Sequence, residues 1–117
     1  MKRVIYIEDD VTAVQLIEEL SKKYFDEFYT TANIQTAKTL IKNVKFDLII
    51  LDIRIEGEAT GYELISYVRE VLKVKTEAIF FSALPPESKR LSYGLQHFQK
   101  GEGIADLKFV MQRISKK

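Results

Sequence analysis

The sequence lacks cysteine, long apolar runs and an excess of either charge, and each absence excludes a class of protein. With no cysteine among 117 residues, it has neither a disulfide framework nor a thiolate metal site. Its apolar runs are short: Leu48 to Leu51 ends at Asp52, whereas a membrane-spanning helix needs about 20 apolar residues. We therefore expect no membrane insertion.

The 18 basic and 17 acidic residues are mixed along the chain. Nucleic-acid-binding domains usually concentrate basic residues on one face, so no direct binding of nucleic acid is expected. No glycine-rich turn follows the first apolar segment, which argues against a nucleotide or flavin site. The amino terminus enters a strand-like run without a signal-peptide pattern, which favours a cytoplasmic location.

Strand-like and helix-like segments alternate five times, which predicts a single α/β domain over residues 1–117 with five helices. Asp10, Asn33 and Thr60 are the predicted helix N-caps, and Thr60 forms a capping box with Glu63. A short helix is expected from Pro85-Pro86 to near Gly94. The predicted strands are Val4 to Ile7, Phe28 to Ala32, Phe46 to Leu51, Ala78 to Phe81 and Leu95 to Phe98.

The composition of these strands predicts their order. The first, third and fourth are continuously apolar, whereas the second and fifth are mixed. In a parallel sheet covered by helices on both faces, central strands are apolar and edge strands tolerate polar residues. The pattern predicts a doubly wound five-stranded parallel sheet with strand order 2-1-3-4-5.

Chemically active side chains follow four of these strands: Glu8 and Asp9, Asp52, Ser82, and Lys100. In open α/β sheets, ligands bind at the carboxyl ends of the strands, near the reversal of strand order. Neighbouring carboxylates raise each other's pKa, and a hard divalent cation relieves that repulsion. Because the expected ligands are all oxygen atoms, Mg²⁺ suits them best. Asp52 is then the best-placed nucleophile toward a phosphoryl group, whose charge the cation and Lys100 can neutralise.

At this point the chain resembles, from end to end, the receiver domains of two-component response regulators. The resemblance implies a flavodoxin-like (CheY-like) three-layer sandwich. The matching pieces are Ile7-Glu8-Asp9-Asp10, Asp47 to Asp52, Gly61-Tyr62-Glu63-Leu64, Ser82-Ala83 and Lys100.

The resemblance also implies roles for the matched residues. Glu8 and Asp9 would position Mg²⁺, and Asp52 would be both the phosphoacceptor and a metal ligand, joined by the backbone carbonyl of Arg54.

Three further residues would respond to the phosphoryl group. Ser82 would be the hydroxyl switch, Lys100 would pair with the phosphate, and His97, three residues before Lys100, would be the switch aromatic. A histidine kinase or phosphotransfer protein would supply the phosphoryl group, and output would pass to a downstream effector protein. Such a domain promotes its own phosphoryl transfer and dephosphorylation and is not an enzyme acting on external substrates.

The chain departs from the family pattern at three places. The segment from Asp52 to Gly61 is one position longer than usual and has Glu56-Gly57 in place of a proline. The segment between strand four and Lys100 is shorter by about one helical turn, or ~3.6 residues. Gly101 stands where a proline usually follows the lysine.

These departures keep an alternative open: a pseudo-receiver that binds partners without being phosphorylated. A Mg²⁺-dependent phosphatase for external substrates is disfavoured, because aspartyl-nucleophile phosphatases typically carry a second aspartate where this chain has Arg54.

Overall fold

A computed structural model describes residues 1–55, 60–83 and 93–117. The strands are β1 (Arg3–Ile7), β2 (Glu27–Thr31), β3 (Leu48–Leu51), β4 (Ala78–Ser82) and β5 (Gln96–Gln99). The helices in this part of the chain are α1 (Val11–Ser21), α2 (Ile34–Asn43), α3 (Gly61–Ser66), which continues as a π-helical segment (Tyr67–Val71), and α4 (Ile104–Ser115).

The five strands form one parallel sheet in the order β2-β1-β3-β4-β5. The predicted topology is therefore confirmed. Strand boundaries differ by one or two residues at some ends; β5, for example, is Gln96–Gln99 and not Leu95 to Phe98. Of the five predicted helices, four lie in the described residues. The one predicted from Pro85-Pro86 begins outside them, and Glu56-Gly57 of the lengthened segment also lies outside them.

Alternate residues of the strands face two separate apolar cores, as the two-residue period of a strand requires. One core packs the sheet against α2 and α3 and includes Ile5, Leu51 and Phe80. The other packs it against α1 and α4 and includes Tyr6 and Phe81. This gives three layers, with helices covering both faces of the central strands. No helix in the described residues combines the length and apolar character that crossing a membrane requires.

The predicted N-caps are confirmed, and they fix where the helices begin. The Asp10 side chain accepts hydrogen bonds from the amides of Thr12 and Ala13, at 3.0 and 3.5 Å. Asn33 caps α2 through the amide of Thr36. The Thr60 hydroxyl accepts from the amide of Glu63 at 3.2 Å, which is one of the two hydrogen bonds of the predicted capping box.

Candidate functional site

The predicted site residues lie together at the carboxyl end of the sheet. Backbone hydrogen bonds extend the parallel ladder past the strands and so bring the residues that follow the strands into register. The Asp52 amide donates to the carbonyl of Ile7 at 3.2 Å, and the Lys100 amide donates to the carbonyl of Ser82 at 2.9 Å. Residues separated by up to 92 positions in the chain therefore meet in one crevice.

Lys100 links two of the predicted carboxylates. Its ammonium nitrogen lies 3.0 Å from Asp52 Oδ2 and also donates to Glu8 Oε1. These contacts raise the pKa of Lys100 even though its burial acts in the opposite direction. The lysine therefore carries a positive charge next to the expected phosphoacceptor.

Glu8 is buried, with no exposed side-chain surface. Its Oε1 also accepts a hydrogen bond from the Tyr6 hydroxyl at 3.0 Å, and its Oε2 accepts one from the Asp9 amide at 3.1 Å. Burial, helped by the neighbouring Asp52 carboxyl, raises the pKa of Glu8 to about 7, against the opposing effect of Lys100. Glu8 is therefore only partly ionised near neutral pH.

Asp52 is buried too, but its pKa is shifted in the opposite direction. Burial by itself would raise it, and the interactions with Glu8, Ser82 and Lys100 outweigh that effect, so the pKa of Asp52 lies below its ordinary value. The Arg54 amide also donates to Asp52 Oδ1, at 3.3 Å. A carboxylate with these donors stays ionised at neutral pH, as a nucleophile must.

A cavity of about 300 Å³ opens beside Asp52. It is lined by Asp9, Asp52, Arg54, Ser82 and Ala83. The anionic lining atoms are carboxylate oxygens, accompanied by a serine hydroxyl. Mg²⁺ in proteins is usually held by one or two carboxylates together with several water molecules, so this oxygen-only donor set and the space beside it fit a hard divalent cation.

The predicted metal ligands are not equally placed. Asp9, Asp52 and Arg54 line the cavity, whereas Glu8 is turned toward Tyr6 and Lys100 and is not among the lining residues. Within residues 1–55, 60–83 and 93–117, no three acidic or histidine side chains converge closely enough to form a metal cage by themselves. The assignment of Glu8 as a metal-positioning residue stays a prediction.

The predicted switch residues lie on adjacent strands. Ser82 is fully buried at the end of β4, and its side chain hydrogen-bonds with Asp52. His97 lies in β5, in register with Phe80 of β4. The His97 Nε2 atom is buried and has no hydrogen-bond partner among the described residues. Ser82 therefore contacts the acceptor directly, whereas His97 lies on β5, two strands from β3 and Asp52.

Two residues near the site were missed by sequence reasoning. Tyr6 was placed in the first apolar strand and given no role at the site, although it lies two positions before Glu8 and so shares its face of the strand. Gly61 was noted as part of a family motif. A Cβ atom added there would lie 2.2 Å from the Asp52 carbonyl oxygen and 2.9 Å from the Phe80 ring, so only glycine lets α3 approach Asp52 this closely.

Comparison with known protein families matches residues 4–97 to the response regulator receiver domain. This chain belongs to that family. The curated relatives include the cell cycle response regulator CtrA of Brucella ovis, 29% identical over 119 residues, which cover 95% of this chain and 50% of the relative. The receiver domain described here thus spans about half the length of the curated relatives it matches.

Solved structures agree with this assignment. TrrA of Thermotoga maritima, a response regulator solved in complex with Mg²⁺ and BeF, is 26% identical, with a TM-score of 0.82 and coverage of 97% of this chain and 99% of that one. The receiver domain of a Pseudomonas aeruginosa sensor histidine kinase, solved with magnesium in its active-site cleft, is 20% identical, with a TM-score of 0.79 and coverage of 99% and 98%. The latter supports the fold of this receiver domain.

Proposed function

We propose that this receiver domain accepts a phosphoryl group on Asp52, with Mg²⁺ bound in the adjacent cavity. The observation that carries the proposal is the setting of Asp52. Its ionised carboxylate lies 3.0 Å from the Lys100 ammonium and lines a cavity that also contains Asp9 and Ser82. Family membership supports the coarser statement that the chain is a phosphoacceptor regulator of a two-component system.

The chain's own residues supply the nucleophile and part of the charge stabilisation. An Asp52 oxygen attacks the phosphorus atom, a new O–P bond forms, and the bond from phosphorus to the donor breaks, with the electron pair leaving on the donor. Lys100 neutralises the negative charge on the transferring oxygens, and the Ser82 hydroxyl lies close enough to Asp52 to donate to one of them. A divalent cation held by Asp9, Asp52 and the Arg54 carbonyl would supply further positive charge at the same oxygens.

Phosphorylation would then act as a switch. The added phosphoryl group attracts Ser82 and Lys100, which are anchored at the ends of β4 and β5, and so biases the surface around these strands and His97. Hydrolysis of the acyl phosphate within the same site would return the domain to its first state.

The partner proteins are proposed by analogy with one neighbour. TrrA, 26% identical to this chain, has also been solved in complex with the histidine kinase ThkA. We infer that a histidine kinase or phosphotransfer protein donates the phosphoryl group here, and that a downstream protein recognises the phosphorylated form.

The test is intact-mass measurement after incubation with acetyl phosphate and Mg²⁺. The wild-type chain should gain the mass of one phosphoryl group, and chelation of Mg²⁺ should abolish the gain. Asp52→Asn should show none, whereas the matched control Asp106→Asn, an exposed aspartate of α4, should behave like wild type. No gain in the wild-type chain with Mg²⁺ would overturn the proposal in favour of an unphosphorylated interaction module.

A further inference from the structure

The Tyr6 hydroxyl lies beneath the site and has no role in the chemistry derived so far. Tyr6 belongs to β1 and is fully buried, with its ring 6.4 Å from that of Phe81 between centroids. Its hydroxyl donates to Glu8 Oε1 at 3.0 Å. A buried tyrosine hydroxyl usually finds such a partner, and here the partner is a residue of the site.

Glu8 connects this hydroxyl to Lys100. The Oε1 atom that accepts from Tyr6 also accepts from the Lys100 ammonium, and the Oε2 atom is held by the Asp9 amide. Both carboxylate oxygens are therefore engaged. Tyr6 as well as Lys100 therefore fixes the direction of the Glu8 carboxylate.

The Lys100 ammonium needs such support because a lysine side chain is long and flexible. Its backbone is anchored to the Ser82 carbonyl, and its ammonium has Glu8 and Asp52 as its carboxylate partners among the described residues. Of these two partners, Glu8 is the one that also accepts a hydrogen bond from Tyr6.

We propose that Tyr6 is a positioning residue, which acts through Glu8 to hold the Lys100 ammonium against Asp52. The inference rests on the proposed phosphorylation of Asp52 for its functional meaning. Loss of the Tyr6 hydroxyl should therefore loosen the Lys100 ammonium through Glu8.

The substitution Tyr6→Phe removes the hydroxyl and keeps the ring in the core. Tyr29→Phe is a matched control. Like Tyr6, Tyr29 lies on a strand and donates to a glutamate two positions away, in this case Glu27 at 3.3 Å. Glu27 pairs with Arg3 at the other end of β1, away from the site.

Two readouts decide the inference. The first is the rate of phosphorylation by acetyl phosphate across a range of Mg²⁺ concentrations. Tyr6→Phe should lower the maximal rate at saturating Mg²⁺ about 3- to 10-fold, the effect of one buried hydrogen bond. Tyr29→Phe should match wild type.

The second readout needs no phosphorylation: the NMR order parameter of the Lys100 side-chain methylene next to the ammonium, in Mg²⁺-free protein. Tyr6→Phe should lower it, and Tyr29→Phe should not. An unchanged order parameter in Tyr6→Phe would overturn the inference, as would an equal loss of rate in both variants. If the wild-type chain takes no phosphoryl group, the proposed function fails and the order parameter still decides whether Tyr6 positions Lys100.

Discussion

At the scale of single residues, two neighbouring carboxyl groups of the site have pKa values that are shifted in opposite directions. Glu8 is raised to a pKa of about 7 mainly by burial, and Asp52 lies below its ordinary pKa because of the hydrogen bonds that it accepts. The difference fits the proposed roles, with an ionised Asp52 as the nucleophile and a Glu8 whose deprotonation inside the protein costs free energy.

The raised pKa of Glu8 predicts a pH dependence of stability in chelator-treated protein. Glu8 has a pKa of about 7 when folded, against 4.5 as the ordinary value, so between these pH values the folded state binds more protons than the unfolded state. The free energy of unfolding should then fall as pH rises from about 4.5 to 7, and level off above that. We expect roughly 1–3 kcal/mol from this group.

Urea unfolding at a series of pH values, in wild type and Glu8→Gln, measures this contribution. The glutamine variant keeps the shape of the side chain and does not titrate, so its stability should lack that part of the decline. An identical decline in both proteins would show that Glu8 does not titrate in this range. The lowered pKa of Asp52 adds pH dependence only at more acidic values.

At the scale of single elements, the connection from β5 to α4 begins with Lys100 and Gly101. The family commonly has proline at the position of Gly101. Gly101 has φ of 90°, and a Cβ atom added there would meet nothing within 4 Å. The requirement for glycine therefore comes from the backbone conformation and not from lack of space. The following residues close the turn, because the amides of Glu102 and Gly103 both donate to the Gln99 carbonyl.

We predict that restoring the proline destabilises this chain. Proline fixes φ near −65°, which is incompatible with 90°, so Gly101→Pro should cost more than about 1 kcal/mol of unfolding free energy and should slow phosphorylation by displacing Lys100. Gly101→Ala is the control: it also strains the backbone but does not fix φ, so its loss should be smaller. The measurement is urea unfolding of the three proteins. Equal stability of Gly101→Pro and wild type would contradict this conformation of the turn.

At the scale of the whole molecule, the site is a product of the complete sheet. Its residues follow β1, β3, β4 and β5, and the two apolar cores hold these strands in register. A cation that binds at their carboxyl ends therefore binds the folded state only, and its binding free energy adds to the stability of the entire domain.

We predict that Mg²⁺ raises the melting temperature. At tenfold its dissociation constant, Mg²⁺ adds about 1.4 kcal/mol, which corresponds to about 4–8 °C for a domain of this size. Differential scanning calorimetry with and without Mg²⁺ measures the shift. Asp9→Asn should lose most of it, and Asp106→Asn should keep it. A full rise in melting temperature in Asp9→Asn would show that Asp9 does not bind the cation.

The sequence by itself determined the architecture and the location of the site. Continuously apolar runs such as Leu48 to Leu51 must lie in the middle of a sheet covered on both faces, and mixed runs must lie at its edges. That pattern predicted the strand order, and with it the meeting of Glu8, Asp9, Asp52, Ser82 and Lys100 at one end of the sheet. The largest boundary error is at β3, which begins at Leu48 and not at Phe46, whereas β5 is shifted by one residue.

Only the tertiary structure decided which of these side chains contact one another. Sequence reasoning treated Glu8 and Asp9 as equivalent, whereas Glu8 is buried against Tyr6 and Lys100 and Asp9 lines the cavity. Local pattern cannot make this distinction, because the choice of partner depends on burial and on distances of a few ångströms between residues far apart in the chain. The same reason hid the close approach of Gly61 to the Asp52 backbone.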